Sequence, residues 1–139
     1  MSTGADPGPA VAVLRERVPG LLAVYRFGSA GTAFERRDSD LDLAVLTSPP
    51  LGEAARCTLR WETAEAVARV AGCDVDLLDL GSASTVFRAR IVVEGTRLWC
   101  ADRPFAERFE DAAMSAYARL NEERAGILAD IHARGYIRG

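Results

Sequence analysis

Asp40 and Asp42 stand one residue apart at the head of an apolar run that continues Leu43-Ala44-Val45-Leu46, and Gly28-Ser29 closes an earlier apolar run, Leu21 to Phe27, ten residues upstream of Asp40. In an extended chain successive side chains point to opposite faces, so Asp40 and Asp42 project together while Leu41, Leu43 and Val45 project the other way. The apolar trio is suited to a helix layer, which leaves both carboxylates on a face with only the small Ala44 beside them. Carboxylates this close repel each other, and a cation between them relieves the repulsion. Mg²⁺ is the hard cation that takes one or two carboxylates and completes its shell with water and substrate phosphates. Gly28 permits positive φ or close backbone approach. If Ser29 to Phe34 open a short helix, its free N–H groups and the Ser29 hydroxyl face an anion. Such a set can hold a nucleoside triphosphate and its metal at one point, which is the chemistry of nucleotidyl transfer.

Each half taken singly has a simpler reading. An isolated Asp-x-Asp is most often a turn with a solvated strand edge, and an isolated Gly-Ser is an ordinary turn. Together they are harder to dismiss: at background usage the four fixed positions coincide in roughly two chains per thousand of this length. A calcium loop does not fit. Asp38, Asp40 and Asp42 imitate its first three ligands, but Leu43 takes the place of the required glycine and Pro49 that of the bidentate glutamate. The stretch Gly28-Ser29-Ala30-Gly31 has the spacing of neither a Walker loop nor a dinucleotide fingerprint.

The elements that must position these residues alternate. Ala10 to Val18 reads as a helix and Leu21 to Phe27 as a strand. After the turn and a polar loop, Glu35 to Ser39, a second strand covers Asp40 to Thr47 and stops before Pro49-Pro50. A helix over Leu51 to Ala71 ends at Gly72, a C-terminal cap. Asp74 to Leu80 is the third strand. Ser82 to Glu94 is a helix capped by Ser82 or Ser84, and Thr96 to Cys100 a short fourth strand. Strands alternating with helices indicate an α/β fold, a small mixed sheet of about four strands flanked by helices. From Pro104 to Arg134 a long helix is expected, with Phe105, Phe109, Ala112, Ala113, Ala116, Tyr117, Leu120, Ile127, Leu128 and Ile131 on one face. At 1.5 Å per residue it spans about 46 Å, against roughly 37 Å for the diameter of a compact domain of this size. Either part of it overhangs as a docking face, or it lies wholly across the sheet or breaks near Gly126. The boundary between core and helical extension of the same domain is set at residues 1–103 and 104–139.

The Gly-Ser, ten-residue gap, Asp-x-Asp pattern resembles the nucleotidyltransferase superfamily related to DNA polymerase β, and in particular the minimal nucleotidyltransferases (MNT proteins) that act as antitoxins of HEPN ribonuclease toxins. The resemblance covers about Leu21 to Cys100. It implies the polymerase β-like fold and a third acid on a later strand, which Cys73-Asp74-Val75-Asp76-Leu77-Leu78-Asp79 offers. Asp76 matches the family pattern, Asp74 shares its face and stays as the alternative, and Asp79 faces away. The resemblance further implies ATP as substrate at Gly28 and Ser29, one or two Mg²⁺ ions on Asp40, Asp42 and Asp76, and transfer of AMP to a tyrosine hydroxyl of a HEPN toxin. Inside the turn, relatives often carry Ala and then Gly, whereas here Gly31 precedes Ala33. Arg36 or Arg37 can face phosphate, although a loop arginine is more often solvated. Two other functions are kept open: modification of a small aminoglycoside-type acceptor, for which little chain remains to build a pocket, and an antitoxin that acts by binding alone.

Composition sets the outer bounds. With 139 residues, nearly half of them hydrophobic, the chain can bury one core. A net charge of -3 speaks against a general nucleic-acid binder. Cys57, Cys73 and Cys100 form no spaced metal set and suit a reducing cytoplasm, and His132, the only histidine, reads as solvated on the last helix. No long apolar run suggests a membrane span, and Ser2 to Pro9 reads as a flexible leader. The family resemblance implies ATP and the toxin as partners, in a higher-order hetero-oligomer.

Overall fold

A computed structural model describes residues 7–28 and 41–134. Four strands form one mixed sheet in the order β3-β2-β1-β4, with β1 at Leu21–Phe27, β2 at Leu41–Thr47, β3 at Val75–Asp79 and β4 at Thr96–Cys100. β1 runs antiparallel to both β2 and β4, and β2 pairs in parallel with β3. A parallel pair needs a long crossover, here supplied by helical structure between Glu53 and Ala71.

Helices cover both faces of the sheet. The odd-numbered face of β2, Leu41, Leu43 and Val45, packs with Leu14 of α1 (Pro7–Arg17) and Val67 of the crossover. On the other face Tyr25, Ala44 and Leu46 pack with Ile91 of α4 (Thr85–Glu94) and Ala106 of α5 (Arg103–Arg134). Alternation in β2 is thus hidden by burial on both sides, as expected of a central strand. Asp42 is its one residue that stays half-exposed. The expected leader shortens, because Pro7, Gly8 and Pro9 already belong to α1.

The crossover differs from a single helix over Leu51 to Ala71. Leu51 is buried ahead of the helix, which starts at Glu53. It comprises α2 (Glu53–Thr58), a π-helical turn (Leu59–Thr63) and α3 (Ala64–Ala71). Leu59 and Thr63, four residues apart, are both buried. Gly72 ends α3 at φ 75°, the left-handed cap that glycine takes without strain. β3 is one residue shorter at each end than Asp74 to Leu80. Ser84, and not Ser82, caps α4: its hydroxyl accepts from the Phe87 N–H at 3.1 Å.

α5 runs for 32 residues without a break at Gly126. Its start is capped by the Asp102 carboxylate, which accepts from the Phe105 N–H at 3.0 Å. Ala106 and Ala113 are buried against the core, with Phe105, Phe109, Met114, Tyr117 and Leu120 half-buried beside them. Ala112, expected on this face, is exposed, and Ala106 was the contact that the face should have included. From Asn121 to Asp130 every side chain is exposed, Ile127 and Leu128 among them at 60% each. The second half of α5 therefore extends past the core. Among the described residues no helix is long and apolar enough to cross a membrane.

Candidate active site

One row of side chains crosses the sheet where the core ends. Phe27 of β1 is in register with Asp42 of β2, and Asp42 with Asp76 of β3. Partners in register share a face, so the two carboxylates stand side by side on strands about 4.8 Å apart. Asp42 is half-buried and Asp76 exposed. The next row, Tyr25, Ala44 and Leu78, forms the apolar floor behind them.

Gly28 completes this corner. Its φ is +103°, and a β-carbon built on it would lie 2.0 Å from Oδ2 of Asp42. The backbone leaving β1 thus rests directly against the carboxylate, an approach open only to glycine. Ser29, Asp40, Arg36 and Arg37 lie outside the described residues, as do Met1 to Asp6 and the side chains of Ile131 and His132.

The acids of the third strand separate by position. Asp74 precedes β3 and is exposed, and its carbonyl accepts from the Leu41 N–H at 3.1 Å. Register pairing begins at Leu41 and Val75, so Asp76 is the acid set opposite Asp42. Asp79 faces the other way, buried, with its carboxylate accepting from the Gly81 N–H at 3.2 Å. It shapes the turn that follows β3.

A network one row below ties the acids' platform to α5. The Tyr25 hydroxyl donates to Glu110 Oε2 at 2.7 Å, and Arg97 Nη1 donates to the same oxygen at 2.7 Å. Burial, and then the Glu110 carboxylate, pushes the Tyr25 phenol well above its ordinary range, with Arg97 opposing in part. Residue spacing gave no signal for this network, because its members lie 85 positions apart in the case of Tyr25 and Glu110.

Beyond Asp76 opens a cleft of about 400 Å³. Phe27 and Phe87 meet edge-to-face across one wall with ring centroids 5.6 Å apart. Arg56 and Arg60 also line the cleft, Arg56 donating to the Leu51 carbonyl at 2.8 Å. Neither arginine was singled out from the sequence, although their four-residue spacing on a helix was the available signal.

The donors suit a divalent cation. Among the described residues no three metal-binding side chains converge, but Asp42 and Asp76 bring two carboxylates into one row. Hard oxygen donors of this number are what a small divalent ion takes from protein when phosphates supply the rest.

Residues 11–104 match the family model described as polymerase beta, nucleotidyltransferase, a family that implies a nucleotide substrate and divalent metal use. The chain is 38% identical over 123 residues to the protein adenylyltransferase MntA of Shewanella oneidensis, covering 88% of this chain and 85% of that protein. A crystal structure of a toxin–antitoxin with AMP-PNP superposes with a TM-score of 0.72 at 36% identity, covering 91% of this chain and 98% of the other. A structure of the tri-AMPylated Shewanella oneidensis HEPN toxin in complex with its MNT antitoxin matches with a TM-score of 0.66 at 35% identity, covering 88% and 92%.

Proposed function

The chain belongs to the polymerase β nucleotidyltransferase family, and from that membership we propose that it is a protein adenylyltransferase, the antitoxin that transfers AMP from ATP to a tyrosine hydroxyl of a HEPN toxin. The observation that carries this reading is the register pairing of Asp42 with Asp76, with the Gly28 backbone against Asp42. The relatives supply the acceptor class, since one is named a protein adenylyltransferase and another is seen with an AMPylated toxin.

In this reading the triphosphate lies at Gly28 and Ser29. Asp42 and Asp76, with Asp40 from the adjoining segment, would hold Mg²⁺, one ion or two. When bound, the cation neutralises charge on the attacking and leaving oxygens. The phenolic oxygen of the acceptor forms a bond to the α-phosphorus as the bond to the bridging oxygen breaks. Pyrophosphate leaves with the electron pair. Asp76, the outermost and most exposed acid of the row, takes the phenolic proton and passes it to water. The rigid row fixes the carboxylates before substrate arrives, which is where positioning contributes to rate.

Residues 1–103 carry the chemistry, and residues 104–139 extend from them toward the partner in a cytoplasmic complex. The test mixes the purified chain with Mg²⁺, α-labelled ATP and the HEPN protein encoded beside it, and follows label and intact mass. An AMP increment on the toxin, lost with Asp42→Asn, is expected. A stable complex with no increment would overturn catalysis in favour of binding alone.

A further inference from the structure

Among the described residues β3 is an edge strand, paired with β2 on one side only. The Asp74 carbonyl points toward β2, where it accepts from Leu41. Backbone groups alternate sides along a strand, so those of Val75, Leu77 and Asp79 point outward. The Asp79 carbonyl bears this out, being taken up from that side by the Ser82 hydroxyl at 3.2 Å. The cleft follows this outward edge, for Asp76, Leu77, Leu78 and Asp79 line it in succession.

Charge and shape mark its lining. Arg60 is exposed and, among the described residues, its guanidinium takes part in no hydrogen bond or ion pair. Phe87, edge-on to Phe27, lines the same cleft. The cleft takes in Asp76, the outermost acid, and runs from there along β3, with Phe27 closing its end beside Gly28, where the phosphates belong. A nucleotide also leaves the outward N–H and C=O groups of β3 without partners, whereas a peptide backbone pairs with them.

Resting on the transfer reading above, we propose that this cleft is the acceptor-protein subsite: an extended, tyrosine-bearing segment of the toxin lies along the free edge of β3. Its tyrosine ring packs beside Phe27 and Phe87, which brings the hydroxyl to Asp76. Arg60 pairs with a carboxylate of the same segment and acts as a positioning residue for the acceptor.

The test compares the unaltered chain with Arg60→Ala and Arg60→Glu in steady-state AMP transfer, varying toxin at saturating ATP and ATP at saturating toxin. Loss of one charge-assisted contact is expected to raise KM for the toxin about tenfold, more for Arg60→Glu, with KM for ATP within about twofold. An unchanged toxin KM, or an equal rise in KM for ATP, would assign the cleft elsewhere and overturn the proposal. Should the unaltered chain transfer no AMP, the transfer reading fails on its own, and calorimetric affinity for the toxin still decides the cleft. Weaker binding by Arg60→Glu then keeps it as a toxin subsite, and equal binding removes it.

Discussion

Oδ2 of Asp42 occupies the space that a side chain on residue 28 would need, 2.0 Å from where the β-carbon of any residue but glycine would sit. Gly28 and the acid are therefore one unit, set by a backbone at φ +103°. Gly28→Ala is expected to cost about 1–3 kcal/mol of stability through the strained backbone. It also displaces the carboxylate, and a shift near 1 Å lowers transfer about a hundredfold. Thermal melts and AMP transfer, measured on the same preparation, check both.

Asp42→Asn and Asp76→Asn keep side-chain shape and remove one charge each. Both acids lie at the margin of the core, so melting temperatures should hold while transfer falls below detection by intact mass. Asp74→Asn, outside the register pairs, should retain most activity. Loss of transfer in Asp74→Asn with activity kept in Asp76→Asn would move the third acid to position 74.

Tyr25 carries a pH signature. Burial and Glu110 hold its phenol protonated above the ordinary value of 10.0. The folded state thus keeps a proton that the unfolded chain gives up, and the stabilisation is fully present below pH 10 and lost as pH rises beyond it. Tyr25→Phe should lower stability at neutral pH by about 1 kcal/mol, the worth of one hydrogen bond. It should also flatten the decline above pH 10. Denaturant melts between pH 7 and 11 would show it, and an equally steep decline in the variant would assign the alkaline loss to other groups.

The two halves of α5 should answer substitution differently. Ile127→Asp, on the exposed half, should change the stability of the isolated chain by less than about 0.5 kcal/mol. Ala106→Leu, at a fully buried position beside Tyr25 and Ile91, should cost about 1–3 kcal/mol through overpacking. Chemical denaturation of the two variants separates them.

Local signals read well where the chain itself sets the boundary. β1 and β4 have the limits expected of them, because each apolar run is closed by glycine or by the next helix cap. Leu41, Leu43 and Val45 packed as their alternation required. The π turn at Leu59–Thr63 was not legible, since one extra residue in a helical turn leaves the apolar pattern nearly unchanged. The face of α5 drifted for a related reason: over nine turns a small error in period exchanges Ala106 for Ala112. Within the candidate site, Gly28 and Asp42 were singled out by spacing and Asp76 by the family pattern, with Asp74 as the alternative; the strand register sets Asp76 opposite Asp42. Arg60 and the Tyr25–Glu110–Arg97 network were not legible, because they are brought together by tertiary packing across distant segments.

From Asn121 to Asp130 every residue of α5 is exposed, and none of the described residues forms a floor beneath this stretch. A stretch of this length is close to the ~12–15 residues below which an unsupported helix is marginal in water. Its backbone amides should therefore exchange with solvent deuterium far faster than those around Ala106 while the chain is alone. Once a partner lies against Ile127 and Leu128, the same amides should slow. The overhanging turns thereby act as a built-in indicator of occupancy, readable without touching the chemistry at the far end of the sheet.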